Sequence, residues 1–260
     1  MKAVILAGGY GTRISEESYL RPKPMIEIGG YPILWHIMKH FSHYGINDFI
    51  ICAGYKQHVI KEYFANYFLY HSDVTFDFTC QDQLIVHNNE SEPWKVTIVN
   101  TGLDTMTAGR IKRIQPYVGE DNFIVTYGDA VSDVNINEMI AFSKKLIKDG
   151  DVGTLTIYNP GQRYGIVKVS SNVVTEFREK SENDGDLINI GYMYFNAKIF
   201  EYINGDGDIL EKDILPVLTK EKKLKAYLHK GFWQCMDTKR EKDKLEQMWE
   251  KGEAKWKIWE

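Results

Sequence analysis

The chain has 260 residues, is 43% hydrophobic and carries a formal net charge of −4, with a sequence pI near 6.0. That length supports a sizeable core in one or two domains, and the mildly acidic balance argues against nucleic acid as a partner. No apolar run approaches the roughly 20 residues of a membrane span. The amino terminus opens on an apolar strand rather than a leader, and Cys52, Cys80 and Cys235 are too widely spaced for a disulfide framework or a Cys-x-x-Cys metal site. A reducing, cytoplasmic setting is therefore expected.

In chain order, the pattern predicts a buried strand over residues 3–6, then a helix over 32–41 with Pro32 in its first turn. A continuous apolar strand follows at 49–53, and a helix at 58–68. Shorter alternating runs at 74–79, 84–87 and 95–99 read as added antiparallel hairpins. A third apolar strand at 123–126 precedes a helix at 137–148 closed by Gly150, and another strand covers 152–158. Alternation returns at 165–169, 173–177 and 188–195, again as antiparallel strands. A short aromatic strand at 232–236 leads into an exposed helix at 240–252. Continuous apolar strands alternating with amphipathic helices imply an α/β fold. The expectation is a Rossmann-like, mainly parallel mixed sheet flanked by helices, with added hairpins and a C-terminal helical tail. That tail carries Trp249, Trp256 and Trp259, which would expose apolar surface if it were free. It should pack on the domain or on a neighbouring subunit.

The first strand runs into Gly8-Gly9-Tyr10-Gly11-Thr12-Arg13, and Lys23 follows between Pro22 and Pro24. Glycines allow close backbone approach to a ligand, and successive N–H groups in such a loop form an anion-binding nest. Arg13 adds a planar cationic fork suited to phosphate oxygens, and Lys23 adds a point charge. The set suits a nucleoside triphosphate. It is neither a P-loop, since no Gly-Lys pair is followed by Ser or Thr, nor a dinucleotide fingerprint, since Ile14 stands at the third glycine position counted from Gly9. A bare strand-to-helix turn would need neither Arg13 nor the Pro-Lys-Pro.

Other candidates read less clearly by themselves. Asp129 follows a strand end, where open α/β sheets bind ligands, and equally suits a helix or turn cap. Asp237 could be an N-cap. The hydroxyl-rich segment 101–110 could read a pyrimidine edge or could be a loop with Thr107 as cap. Glu179-Lys180 resembles an ordinary surface pair.

The chain resembles the sugar-nucleotidyltransferase family, whose signature is a Gly-Gly-x-Gly-Thr-Arg loop followed by a Pro-Lys-Pro lysine. The likeness extends along nearly the whole sequence, through Arg21 to Met25, Gly29-Gly30, Pro32 to His36, Thr101-Gly102, Thr107 to Arg110, Thr126 to Asp129 and Gly231 to Thr238. Within the family it is nearest to the branch that joins CTP and glucose 1-phosphate, with uridylyl- or thymidylyl transfer, or a non-catalytic nucleotide-sugar-binding subunit, as alternatives.

The resemblance implies a nucleotidyltransferase domain over residues 1–230, with inserted hairpins at about 70–110, and a metal-ligand strand and tail over 231–260. It assigns catalysis, and with it contacts to the nucleotide, to Arg13 and Lys23. Leu6, Ala7, Gly8, Gly9, Gly11 and Thr12, with Thr105, Thr107, Gly109, Arg110 and Gly128, fall to the nucleotide. Asp129 and Asp237 fall to Mg²⁺. Gly165, Glu179, Lys180, Asn189 and Gly191 fall to the sugar phosphate. A homo-oligomer, trimeric or hexameric, and a product destined for deoxysugar and O-antigen synthesis are implied as well. Three positions depart from the family pattern: Asp104 replaces a small residue, Ser181 a proline and Cys235 a proline, the last read as a packing change and not as a nucleophile.

Overall fold

Alternate residues of the first strand leave for opposite faces. In the computed structural model, which describes residues 1–79, 83–161, 166–170, 173–178 and 186–259, β1 (Lys2–Ala7) sends Ala3, Ile5 and Ala7 into one buried cluster and Val4 and Leu6 into another. β2 (Asp48–Ala53) divides in the same way, Phe49 and Ile51 against Ile50 and Cys52. Burial on both faces explains why these strands read as unbroken apolar runs.

β1 pairs in parallel with β2, and β2 in parallel with β3 (Lys95–Asn100). On its other side β1 pairs in parallel with β4 (Phe123–Tyr127). Beyond lie β5 (Gly153–Tyr158), β6 (Ile188–Asn189), β7 (Met193–Phe195) and β8 (Leu224–His229). β7 is antiparallel to both β4 and β5, β6 is antiparallel to β5, and β8 is parallel to β5. The carboxyl ends of β1 to β5 therefore share one edge of the sheet.

Three differences from the sequence reading follow from sheet position. Residues 95–100 form no hairpin; they make a parallel edge strand, whose half-covered faces produce the same alternation as a hairpin. The run at 188–195 divides into β6 and β7 because Gly191 (φ 80°) and Tyr192 (φ 52°) take left-handed backbone, which cannot continue a ladder. β8 was hidden behind the lysines of residues 220–225, since an edge strand needs apolar residues on only part of its surface. The pairs Ser72–Asp77 with Gln83–Asn89, and Ile166–Ser170 with Val173–Arg178, are antiparallel hairpins as the alternation predicts.

The helices are α1 (Ile33–His43), α2 (Gln57–Ala65), α3 (Thr107–Arg113), α4 (Ile136–Leu146), α5 (Leu215–Lys220) and α6 (Lys239–Glu250), with short helical turns between them. One face of the sheet packs on Ile37 and Phe41 of α1, Ile60 of α2, Met139 of α4 and Leu245 of α6. The other packs on Ala108 and Ile111 of α3 and Leu218 of α5. α6 opens on a capping box: the Thr238 hydroxyl accepts the Glu241 N–H, and the Glu241 carboxylate accepts the Thr238 N–H. Beyond α6 the chain folds back on α1. Trp256 is fully buried, its Nε1–H donates to His36 Nδ1 at 3.3 Å, and its ring stacks on Phe232. Among the described residues no helix is long and apolar enough to cross a membrane.

Candidate active site

The loops that leave β1, β3 and β4 meet at the shared carboxyl edge. The Gly8 carbonyl accepts Tyr55 N–H at 3.2 Å and the Arg110 guanidinium at 3.1 Å. A Cβ on Gly8 would lie 2.1 Å from that guanidinium, so only glycine fits against it. Pro22, at φ −65°, leads into the turn Lys23–Met25 and aims the lysine inward.

Lys23 is the electrostatic centre. Its ammonium lies 2.5 Å from Asp129 Oδ2 and 2.5 Å from Asp237 Oδ1, and Arg13 donates to the other oxygen of Asp237 at 2.6 Å. Burial pulls the Lys23 pKa down, but the charges and hydrogen bonds of Asp129 and Asp237 outweigh it and hold the ammonium above the ordinary lysine value. The two aspartates, 108 positions apart in sequence, are joined by a short antiparallel pair, Ala130–Ser132 with Trp233–Cys235. Cys235 stands opposite Ala130, and Met236 N–H donates to the Asp129 carbonyl at 2.8 Å. Burial pushes the adjacent Cys235 thiol up to about 11, so it remains protonated and poorly nucleophilic.

A cleft of ≈ 470 Å³ opens in front of this cluster. Leu6, Ala7, Gly8, Gly9, Gly11, Thr12, Arg13 and Lys23 line it from the first loop, and Gly128, Asp129 and Asp237 from the charged end. Thr105, Thr107 and Arg110 line it from the segment after β3. Thr107 does not cap α3: its hydroxyl donates to Glu211 at 2.8 Å and accepts Leu210 N–H, tying α3 to the following helical turn. Arg110 is committed to the protein itself. It donates to Thr101 Oγ1, to the Gly102 and Leu103 carbonyls and to Gly8, clamping the two loops together.

Gly109, assigned to the nucleotide by resemblance, faces away from the cleft. A Cβ there would meet the Asp206 backbone at 2.6 Å, so its small size serves helix–loop packing. Asn189 and Gly191 make a tight turn, with Asn189 Oδ1 accepting Gly191 N–H at 3.1 Å, and Gly191 packs on the Tyr127 ring. They lie behind Tyr127 and outside the cleft lining. Gly165, Glu179 and Lys180 lie outside the described residues.

Sequence reasoning missed three contributors. Tyr10 hydrogen-bonds Asp104 at 2.9 Å across the cleft mouth, and Glu211 accepts the Tyr127 hydroxyl. Nothing local marks Glu211. Asp104 was visible only as a departure from the family pattern.

Among the described residues no group of three or more His, Cys, Asp and Glu side chains could hold a metal. The converging oxygens of Asp129 and Asp237 nonetheless suit a hard divalent cation that takes its other ligands from substrate and water.

A mainly parallel sheet that gathers a glycine loop, a buried lysine, an exposed arginine and two carboxylates at its carboxyl edge defines a nucleotide-binding α/β protein. The chain belongs to the nucleotidyl transferase family, whose model matches residues 2–250. It is 51% identical to glucose-1-phosphate cytidylyltransferase of Salmonella typhi, over the full length of both proteins. It is 39% identical to the probable glucose-1-phosphate cytidylyltransferase of Bacillus subtilis, again over the whole of both. Among solved structures, UDP-glucose pyrophosphorylase from Acinetobacter baumanii superposes with a TM-score of 0.70 at 19% identity, covering 98% of this chain and 95% of that one. HddC from Yersinia pseudotuberculosis gives 0.68 at 24% identity, covering 95% and 99%. These two share the fold.

Proposed function

We propose that this chain transfers a cytidylyl group from CTP to α-D-glucose 1-phosphate, giving CDP-glucose and pyrophosphate. The observation that carries the reading is the Lys23–Asp129–Asp237 cluster beneath the glycine loop, in a chain 51% identical from end to end to an enzyme of that name.

A phosphate monoester has lost most of its second proton near neutral pH (pKa about 6). The attacking sugar-phosphate oxygen therefore needs no general base, and the protein's work is positioning and charge stabilisation. The first loop offers its N–H groups to the triphosphate. Arg13 holds the leaving pyrophosphate in line with the attacking oxygen, and Lys23 takes the α-phosphate, exchanging a carboxylate partner for a phosphate oxygen without losing its proton. Asp129 and Asp237 would hold Mg²⁺, which when bound neutralises phosphate oxygens. Arg110 acts on the nucleotide through the loops it clamps. By resemblance, Gly165, Glu179, Lys180, Asn189 and Gly191 form the sugar-phosphate side.

The remaining assignments belong to the same proposal. Residues 1–230 form the transferase domain, and 231–260 supply the second metal aspartate and the tail. The enzyme acts in the cytoplasm and supplies deoxysugar and O-antigen synthesis. It assembles as a homo-oligomer, a trimer or hexamer, for which the exposed apolar side chains of Phe76, Phe78 and Leu84 on one hairpin are the support; a monomer in sedimentation at micromolar concentration would exclude this.

A matrix of triphosphates against sugar phosphates tests the function. Pyrophosphate release should be greatest with CTP, glucose 1-phosphate and Mg²⁺, and should stop on chelation. Preference for UTP or dTTP would overturn the cytidylyl assignment, and no release with any pair would make the chain a binding subunit.

A further inference from the structure

One end of the cleft holds the paired charges of Lys23, Asp129 and Asp237, and the other is lined by apolar side chains around a single carboxylate. Cations and carboxylates gather at Lys23, which leaves the nucleobase to the segment between β3 and α3. There Leu103 and Met106 are 48% and 45% exposed, and Tyr10 across from them is 44% exposed. All three line the cleft and offer apolar surface to the faces of a flat ring. In their midst stands Asp104, a carboxylate with no cation bound to it among the described residues. Tyr10 donates to its Oδ1 at 2.9 Å, and Oδ2 has no hydrogen-bond partner among the described residues.

We infer that Asp104 selects the base, its Oδ2 accepting the exocyclic amino group of cytosine, with Tyr10 as the residue that positions the carboxylate. A carboxylate only accepts hydrogen bonds at neutral pH. The cytosine 4-amino group donates, whereas uracil and thymine present a carbonyl oxygen at the same place. One ring is therefore held and the others meet a repulsive oxygen pair, so specificity comes as much from rejection as from attraction. The hydrogen bond to Asp104 also raises the Tyr10 pKa, which keeps the phenol a donor. The inference rests on the cytidylyl reading and names the residue that enforces it.

The experiment compares kcat/KM for CTP and UTP in wild type, Asp104→Asn, Asp104→Ala and Tyr10→Phe, each checked by thermal melting. Asp104→Ala should lower the CTP-to-UTP preference on the order of 10- to 100-fold. Asp104→Asn should lower it further, because an amide N–H can donate to the uracil 4-oxygen. Tyr10→Phe should raise the KM for CTP several-fold while kcat holds, since the carboxylate stays but swings. An unchanged preference in both Asp104 variants, with wild type favouring CTP, would overturn the role of Asp104 alone. A wild type that prefers UTP would overturn the cytidylyl reading, and this inference with it.

Discussion

Lys23 in the cleft and His36 beneath the tail are both buried polar side chains, 8% and 0% exposed, and the fold treats them in opposite ways. Lys23 meets two carboxylates and keeps its charge. His36 meets no charge: its Nδ1 accepts from Trp256, so its Nε2–H must donate to the Ile28 carbonyl at 2.8 Å. Burial then pulls its pKa to about 4, and the ring is neutral at working pH. Trp249 and Trp259 pack against the same ring. A buried site that must receive phosphates keeps its charge beside partners the substrate can replace. A site that only holds the chain together discards charge and satisfies each nitrogen permanently.

The sharpest way to break this comparison is at Trp256. Trp256→Ala should cost about 3–5 kcal/mol of stability, because it opens a cavity and leaves His36 Nδ1 without its donor. Chemical denaturation measures the loss, and activity per folded molecule should be preserved. A variant of unchanged stability would mean that the tail lies on the core without holding it.

Lys23→Ala should show the reverse pattern. Turnover should fall on the order of 10²- to 10³-fold, the usual cost of losing a charge-stabilising donor. The fold should persist, because Asp129 and Asp237 are 31% and 22% exposed at the side chain and water can take the ammonium's place. Steady-state rates at saturating CTP decide it; near wild-type turnover would reduce Lys23 to a turn residue.

In pH, the two regions should fail at opposite ends of the scale. His36 and His40 both have folded pKa values of about 4, below the unfolded 6.5. Their contribution is complete above pH 6.5 and drains away as pH falls toward 4, at about 1.4 kcal/mol per unit for each histidine. The raised pKa of Lys23 works the other way: its contribution is present below the ordinary lysine value and is lost only in strong alkali. Melting curves between pH 7 and 5 should show the acid slope, and His36→Gln should roughly halve it, leaving the share of His40. An equal slope in that variant would place the acid sensitivity elsewhere.

Much of this molecule is local and could be read in one dimension. Two-faced burial wrote continuous apolar runs into β1, β2 and β4. The charged run after Thr238 read as the helix that became α6, and the glycines with Arg13 and Lys23 marked the strand-end loop that lines the cleft. These signals depend on backbone sterics and side-chain periods that act over a few residues, so the amino-acid order alone determines them. Tertiary structure decided the rest. Lys95–Asn100 alternates like a hairpin strand, and only its pairing with β2 makes it the sheet's parallel edge. The pairing of Ala130–Ser132 with Trp233–Cys235 brings Asp129 and Asp237 to one ammonium. The clamp of Arg110 on Gly8 and the bond of Tyr10 to Asp104 span about as many residues as separate whole domains elsewhere. No periodicity encodes such contacts, because they depend on strand register and loop closure, which are set by the packing of the entire sheet.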